Sequence, residues 1–121
     1  MKSRNLIDES IKLQLEAKAL GLDWIELNKI ISKIREETDE LEEAIGIENK
    51  DHIKEELGDL FFTLLCLSRH LEECPEEILA SANKKFESRY TKVLNHLNKM
   101  DKNYADPKEM EQIWQIIKKQ V

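Results

Sequence analysis

The residues whose types and spacing could do chemistry are acids on two segments of the chain. Glu37 and Glu40 lie three positions apart, and Glu56 and Asp59 repeat that spacing further along. In a helix, residues three apart share a face, so each pair presents two carboxylates together. Position 37 is also where the apolar period of its segment expects a core residue. We therefore expect the Glu37 carboxylate to lie against apolar surface.

Crowded carboxylates beside apolar walls repel one another and lose hydration, so they either take up protons or bind a cation. Oxygen ligands without His or Cys suit a hard divalent ion, Mg²⁺ or Mn²⁺. The spacing alone leaves a second interpretation open, because such pairs arise often in a chain that is 36% charged, and most are solvated helix faces. A carboxylate-bridged di-iron bundle is disfavoured, since it requires Glu-x-x-His motifs. No Glu stands three residues before any of the 3 His.

The elements that must position these acids are helices. The 121 residues include 3 Gly and 2 Pro, about a third of ordinary usage, which excludes turn-rich sandwiches, barrels and Rossmann-type folds. The first expected helix has its apolar stripe at Leu6, Ile7, Ile11, Leu15 and Ala19 and its stop at Gly21, and the second runs from about Trp24 to Ile45, capped by Asp23. A third helix, capped by Asn49 or Asp51, and a fourth, beginning near Pro75, are expected to follow. A polar loop over Lys99–Asp106 then leads to a fifth helix, which Pro107 opens.

Three of these helices carry further apolar signals. Between Leu60 and Leu67 the third helix is apolar nearly all round, which predicts either the centre of a bundle or a subunit interface. The apolar face of the fourth helix consists of Ile78, Leu79, Ala82, Phe86, Tyr90, Val93 and Leu97. The apolar face of the fifth helix consists of Met110, Ile113, Trp114 and Ile117.

Charge and composition limit the partners. The formal net charge is −6 and no basic run of five or more occurs, which disfavours nucleic acid as a partner. The segment after the first Met lacks the apolar stretch of a signal peptide, and Leu60–Leu67 is too short to span a membrane. The 2 cysteines, Cys66 and Cys74, then fit a reduced, cytoplasmic protein. We expect one domain over residues 1–121 with no membrane partner.

Five segments, in order, resemble the MazG family of nucleoside triphosphate pyrophosphohydrolases. The family signature E-E-x-x-E, followed by E-x-x-D, is matched by KIREETDEL at Lys33–Leu41 and EELGDLFF at Glu55–Phe62. The segments GLDW at Gly21–Trp24, ANKKFESR at Ala82–Arg89 and EMEQIW at Glu109–Trp114, with a lysine four residues later, are similar to further family motifs. The resemblance covers about residues 12 to 120 and is closest to the second domain of two-domain MazG proteins.

This resemblance implies an all-α, MazG-like bundle of about five helices that assembles as a homodimer or higher, a homotetramer included. It implies that a nucleoside triphosphate and water give the monophosphate and pyrophosphate. The resemblance implies that the Mg²⁺ ligands, with Mn²⁺ as a substitute ion, are Glu37, Glu40, Glu56 and Asp59. It implies that Glu36 is the acid that orients or deprotonates the attacking water. The substrate-binding residues that it implies are Lys33, Asn83, Lys85, Arg89, Trp114 and Lys118.

The implied chemistry agrees with these residue types. A bound Mg²⁺ would bridge the acids and the phosphates, which repel each other, while Lys and Arg would stabilise charge on the leaving pyrophosphate. On spacing alone, Lys85 and Arg89 could equally be an exposed pair of cations, and Trp24 and Trp114 could be core or pocket wall. Two alternatives to this function stay open. The protein could be a helical dimerisation or interaction module without catalysis, or a relative specialised for dUTP or another nucleotide.

Four positions carry smaller expectations. His52 lies four before Glu56, where a solvated side chain is favoured over one that supports the acid. Cys66 is expected to be a small core residue, at a position that is often Asn in the resembling domains. Glu72 stands where those domains usually have Gly. Gly58 lies inside the third helix, where Gly costs stability relative to Ala, so a close approach of substrate or of a packed helix is expected there.

Overall fold

The computed structural model describes residues 5–120, and within them the chain forms five α-helices and no strand. This confirms the all-α prediction and the number of helices. The helices are α1 (Leu6–Ala19), α2 (Leu27–Gly46), α3 (Lys50–His70), α4 (Pro75–Lys99) and α5 (Pro107–Lys119). No helix in the described part of the chain is long and apolar enough to cross a membrane.

Most helix ends follow the local chemistry of the sequence. The side chains of Asn5, Asn49 and Asp106 each accept a hydrogen bond from a backbone N–H in the first turn of the helix that follows. Pro107 begins α5, where its missing N–H is no loss. After α1, Gly21 adopts φ +92°, the left-handed conformation that Gly tolerates best. The predicted stop at Gly21 and start at Pro107 are thus confirmed.

The start of α2 differs from the prediction. The helix begins at Leu27 rather than near Trp24, and its N-cap residue, Glu26, makes no side-chain capping bond. Asp23, the predicted cap, instead places its carboxylate against Arg69 and His70 of α3. An ion pair with a guanidinium outweighs one capping bond, so residues 24–26 stay outside the helix.

The buried face of α1 also differs from the predicted stripe. Leu6 and Leu15 are about half exposed or more, and Ala19 is exposed as well, whereas Gln14 is buried. The Gln14 amide donates to the Phe62 carbonyl oxygen at 3.2 Å and accepts from Arg69 Nε at 3.1 Å. The polar contacts of Gln14 with α3 therefore fix the rotation of α1, which an apolar period does not predict.

The described chain divides into two compact units, one ending at Glu77 and the other beginning at Ile78. In the first unit, α3 packs against both α2 and α1. Its buried apolar side chains are Ile30, Ala44 and Cys66, so the expectation of a buried Cys66 is confirmed. The prediction of one domain over residues 1–121 stays a prediction.

The second unit has a small core where the end of α4 meets α5. Its members are Val93, Leu97, Ala105, Ile113 and Ile117, with Met110 and Trp114 packed against them. The predicted apolar face of α5 is thus confirmed. The predicted apolar face of α4 is buried at Val93 and Leu97, whereas over the first four turns Ile78, Leu79, Phe86 and Tyr90 are exposed.

The apolar stretch of α3 is not enclosed by the rest of the chain. Phe61 is 70% exposed, and Phe62 and Leu64 are nearly half exposed. The bundle-centre interpretation of Leu60–Leu67 is therefore wrong for the described chain. The subunit-interface interpretation stays a prediction.

Candidate functional site

Two acids from the predicted set are buried, one on each of the helices that pack together. Glu37 of α2 is 3% exposed and Glu56 of α3 is 6% exposed. The expectation that Glu37 occupies a core position is thus confirmed. Thr63, which lies two turns beyond Glu56 on α3, donates its hydroxyl to Glu37 Oε1 at 3.0 Å and so joins the two helices.

Glu56 has a similar contact on its own helix. His52 Nε2 lies 3.1 Å from Glu56 Oε1, one turn earlier on α3. The His52 ring is half exposed, as expected of a solvated side chain, and it also contacts the acid. Each buried acid thus has one oxygen held by a neighbouring side chain.

The other oxygen of each acid is buried without a partner. Oε2 of Glu37 and Oε2 of Glu56 have no hydrogen-bond partner among the described residues. An unpaired buried carboxylate oxygen is costly, by about 1–3 kcal/mol or more. Carboxylate oxygens are the ligands that Mg²⁺ and Mn²⁺ prefer, so the donor set fits a hard divalent cation.

The electrostatics of Glu37 reflect this environment. Burial raises the pKa of its carboxyl group, and the Thr63 hydrogen bond and the charge of Lys33 oppose that rise. The negative charges of Asp59 and Glu56 raise the pKa of Glu37 further. Three of the four predicted metal ligands are therefore close enough to influence one another, and a cation between them would relieve both the desolvation and the repulsion.

The remaining predicted residues of α2 and α3 are more open to solvent. Glu40 is half-buried, whereas Glu36 and Asp59 are exposed. Lys33 Nζ lies 3.9 Å from Glu36 Oε1, a long ion pair within one turn of α2. The structure thus brings Lys33 beside two of the acids, Glu36 and Glu37.

A different trio brings its ligand atoms closest together. Among the described residues, only Asp23, Cys66 and His70 place three potential metal-ligand atoms within 4.8 Å of one another, and the four predicted acids form no such group. Arg69 occupies this trio, with its NH1 and NH2 nitrogens 3.0 and 2.8 Å from the two Asp23 oxygens and NH2 3.6 Å from Cys66 Sγ. Arg69 holds the pKa of the Asp23 carboxyl well below its usual range. Burial raises the pKa of the Cys66 thiol.

These contacts favour an ion-pair network over a metal site in the trio. A fixed guanidinium repels a cation, and a thiol must lose its proton to bind one. The network ties the segment before α2 to the end of α3, and sequence reasoning missed it. The available signals were Gln14, a polar residue on the inner side of α1, and the Arg69-His70 pair in the last turn of α3.

A cavity of about 390 Å³ lies in the first unit between α1, the α1–α2 connection and α3. Its walls are mainly apolar and include Trp24 and Phe62, and the Asp23–Arg69 pair lies at its edge. Thr63 lines the cavity and also contacts Glu37, so one side chain connects the cavity wall to a buried acid. Trp24 is a pocket wall, in agreement with the prediction.

The second unit contains the other predicted substrate-binding residues. The Arg89 guanidinium carbon lies 6.0 Å from the centre of the Trp114 ring, a cation–π geometry. Asn83 and Lys85 of α4 and Lys118 of α5 are exposed. The structure therefore brings Arg89 and Trp114 together and leaves the other three side chains open to solvent.

Gly58 gives no sign of a packed neighbour. A Cβ atom built at this position meets no atom within 4 Å. Within residues 5–120 no other helix approaches Gly58 closely, against that part of the expectation, and the expectation of a substrate there stays a prediction. Glu72 adopts φ 59°, so Glu takes the left-handed conformation expected of the Gly that usually stands there.

The fold and these acids define a class of all-α proteins that present paired carboxylates on two packed helices. The family model described as "MazG nucleotide pyrophosphohydrolase domain" matches residues 26–94, which contain both acid pairs. The chain belongs to the MazG family.

Two curated relatives extend the similarity. A protein of Escherichia coli (strain K12), named nucleoside triphosphate pyrophosphohydrolase, is 34% identical over 113 residues, which are 90% of this chain and 43% of the relative. A Thermotoga maritima protein, named nucleoside triphosphate pyrophosphohydrolase/pyrophosphatase MazG, is 38% identical over 82 residues, which are 68% of this chain and 31% of the relative. The chain spans less than half the length of the curated relatives it matches.

Proposed function

We propose that this protein is a Mg²⁺-dependent nucleoside triphosphate pyrophosphohydrolase, which converts NTP or dNTP and water to the monophosphate and pyrophosphate. The observation that carries the proposal is the pair of buried acids, Glu37 and Glu56, each with one unpartnered oxygen, on the two helices that pack in the first unit. Membership of the MazG family and the names of the two relatives support the reaction class.

The acids of α2 and α3 would hold the metal ion. The residues with ligand oxygens are Glu37, Glu40, Glu56 and Asp59, and Mn²⁺ would substitute for Mg²⁺ because both are hard cations. A bound divalent ion supplies polarisation of the phosphoryl oxygens and a lower pKa for a coordinated water. Glu36, exposed at the edge of this acid face, would accept a proton from the attacking water or orient it.

The basic residues would bind the triphosphate. Lys33 lies beside the acids, so its ammonium can neutralise a phosphate held there. In the second unit, Lys85 and Arg89 lie one turn apart on α4, and Trp114 holds the guanidinium of Arg89 in place. Fixed cations of this kind would stabilise charge on a departing pyrophosphate. Asn83 and Lys118 complete the proposed substrate-binding set.

The cavity of the first unit would receive the nucleoside. Thr63 in its wall contacts Glu37, and its apolar walls with two aromatic side chains suit a flat base. Its volume of about 390 Å³ lies in the range of ordinary small-molecule sites.

We also propose that the protein assembles as a homodimer or higher and works in the cytoplasm on the nucleotide pool. Support for assembly comes from the exposed apolar side chains of α3, of which Phe61 is 70% exposed. Support for a reducing compartment comes from the cysteines, both of which are free thiols in the structure.

The test is a product assay with each NTP and dNTP in the presence of Mg²⁺. We expect both a monophosphate and pyrophosphate, and we expect Glu37→Gln and Glu56→Gln to abolish turnover while the helices persist in circular dichroism. Glu43→Gln is the matched control, because Glu43 is an exposed acid of α2. If no nucleotide gives both products, the proposal fails and the interaction-module alternative is favoured. Turnover of dUTP alone would instead identify the specialised relative.

A further inference from the structure

Glu37 and Glu56 are held in the same way. In each, Oε1 contacts a neighbouring side chain while Oε2 is buried and unpartnered within the described residues. The neighbour is Thr63 for Glu37 and His52 for Glu56. Neither neighbour belongs to the acid signature, so the sequence match does not account for them.

We propose that Thr63, and to a smaller extent His52, are positioning residues that hold one oxygen of each buried acid so that the other oxygen is presented to a divalent cation. This inference rests on the proposed function, because it assigns the supporting shell of the same metal site. Side chains that fix metal-ligating carboxylates typically change metal affinity by about 10–100-fold when they are removed.

The geometry at Thr63 explains why a hydroxyl group serves here. Thr63 Oγ1 lies 3.0 Å from Glu37 Oε1 and 2.9 Å from the backbone oxygen of Asp59, one turn back on its own helix. The single hydroxyl proton can go to either acceptor, and a charged carboxylate attracts it more strongly than a carbonyl oxygen does. With Glu37 ionised, the proton is therefore directed across the helix pair and fixes the carboxylate.

Burial ranks the two positioning residues. Thr63 is 8% exposed, so water cannot replace its hydrogen bond to Glu37. The His52 side chain is 47% exposed, so water can take over part of its contact with Glu56. We therefore expect the loss of the Thr63 hydroxyl to weaken the site more than the loss of the His52 ring.

The experiment measures Mn²⁺ binding without nucleotide, from the electron paramagnetic resonance signal of free Mn²⁺. Thr63→Val keeps the shape of the side chain and removes the hydroxyl, whereas Thr63→Ser restores the hydroxyl. Thr38→Val is the matched control, because Thr38 donates only to the backbone oxygen of Ile34 on α2. His52→Leu tests the second positioning residue. Glu56→Gln tests whether the bound ion is the one held by the acids.

We expect Thr63→Val to raise the dissociation constant for Mn²⁺ by about 10–100-fold, with Thr63→Ser close to wild type and Thr38→Val unchanged. We expect His52→Leu to lie at the lower end of that range. A purely structural role for Thr63 would lower the melting temperature without changing Mn²⁺ affinity at 10 °C, where every variant is folded.

The outcomes separate this inference from the proposed function. If wild type binds Mn²⁺ and Glu56→Gln does not, but Thr63→Val binds as wild type does, the positioning role is overturned and the metal site stands. Equal losses in Thr63→Val and Thr63→Ser would also overturn it, since the hydroxyl would then not be the cause. If wild type binds no Mn²⁺, both the positioning role and the metal dependence fail, and the product assay then decides the reaction independently.

Discussion

Replacing Asp23 by Asn removes the negative charge at the centre of the ion-pair network in the first unit. The Asp23 oxygens accept from Arg69 at 2.8 and 3.0 Å and from the backbone N–H of Trp24 at 2.9 Å, and they also contact His70 at 3.0 Å. The side chains of Asp23 and Arg69 are 13% and 11% exposed. The substitution keeps the size of the side chain and leaves the Arg69 guanidinium without a carboxylate.

Burial sets the expected loss of stability. Breaking a fully buried ion pair costs about 3–5 kcal/mol, whereas an exposed pair contributes at most about 1 kcal/mol. The Asp23–Arg69 pair is nearly but not fully buried, and the Asn side chain can still accept from Trp24. We therefore expect Asp23→Asn to lower the free energy of unfolding by about 2 kcal/mol at neutral pH.

The pH dependence gives a second signature. The pKa of Asp23 is held well below its usual range, chiefly by hydrogen bonds from Arg69. A carboxyl group with a lowered pKa contributes stability fully above its unfolded pKa, about 3.9, and loses it as the pH falls towards the folded value. The difference between wild type and Asp23→Asn should therefore be constant from about pH 7 to pH 5 and shrink below about pH 4.

The assay is urea denaturation at pH 7, 5 and 3, followed by fluorescence in a Trp114→Phe background so that Trp24 alone reports on the first unit. Asp39→Asn, at an exposed position of α2, controls for the loss of one charge. A loss below about 0.5 kcal/mol at pH 7, the level of ordinary surface substitutions, would show that the Asp23–Arg69 network does not stabilise the fold as argued. A difference at pH 3 that is as large as the difference at pH 7 would contradict the assigned role of the Asp23 charge.

Three further predictions concern single positions. Gly58→Ala should raise the free energy of unfolding by about 0.5–1 kcal/mol, because an added Cβ meets nothing there, and the matched control Gly46→Ala should do the same for the same reason. A higher KM for nucleotide in Gly58→Ala alone would reveal a close approach of substrate. Glu72→Gly should stabilise by about 0.5–1 kcal/mol in chemical denaturation, because φ 59° is strained for Glu, and a loss of stability would contradict this. Native protein should show one fast-reacting thiol towards a disulfide reagent, Cys74, since Cys66 is buried with a raised pKa; Cys74→Ser should remove that phase, and two fast thiols would refute the assignment.

The sequence predicts the five helices well, because their ends depend on local chemistry. Asn49, Pro75 and Pro107 mark helix starts by capping or by fixed backbone geometry, and the structure begins helices beside them. The start of α2 is mispredicted, because the capping residue Asp23 is taken by Arg69, which lies 46 residues away in the chain. A contact at that separation has no local signal.

The burial of apolar faces is predicted less well. An apolar period indicates which face of a helix is buried only if another element covers that face. In α5 the prediction for Ile113 and Ile117 holds, because the end of α4 packs on them. In the first turns of α4, Ile78 and Phe86 have the same kind of period but are exposed. Periodicity therefore identifies apolar surface without identifying what lies on it.

The acids are the positions where the break in the pattern was most informative. Glu37 interrupts an apolar stripe, and the structure buries it as the stripe predicts. The contact of Thr63 with Glu37 was not predictable, because it joins residues 26 positions apart on two helices. The spacing of His52 and Glu56 allowed a contact, but the side-chain conformation decides whether it forms. The sequence thus indicates which acids lie inside, and the structure is needed to show what holds them there.

The burial of these acids also weighs against the interaction-module alternative. That alternative treats both pairs as solvated helix faces, and the exposure of Glu36 and Asp59 agrees with it. Glu37 and Glu56, however, are 3% and 6% exposed with a buried, unpartnered oxygen each among the described residues. Leu or Ile at either position would pack the α2–α3 contact without a desolvation cost. Two carboxylates buried together at the contact of two helices are therefore costly for a scaffold, and they become favourable when a cation binds between them.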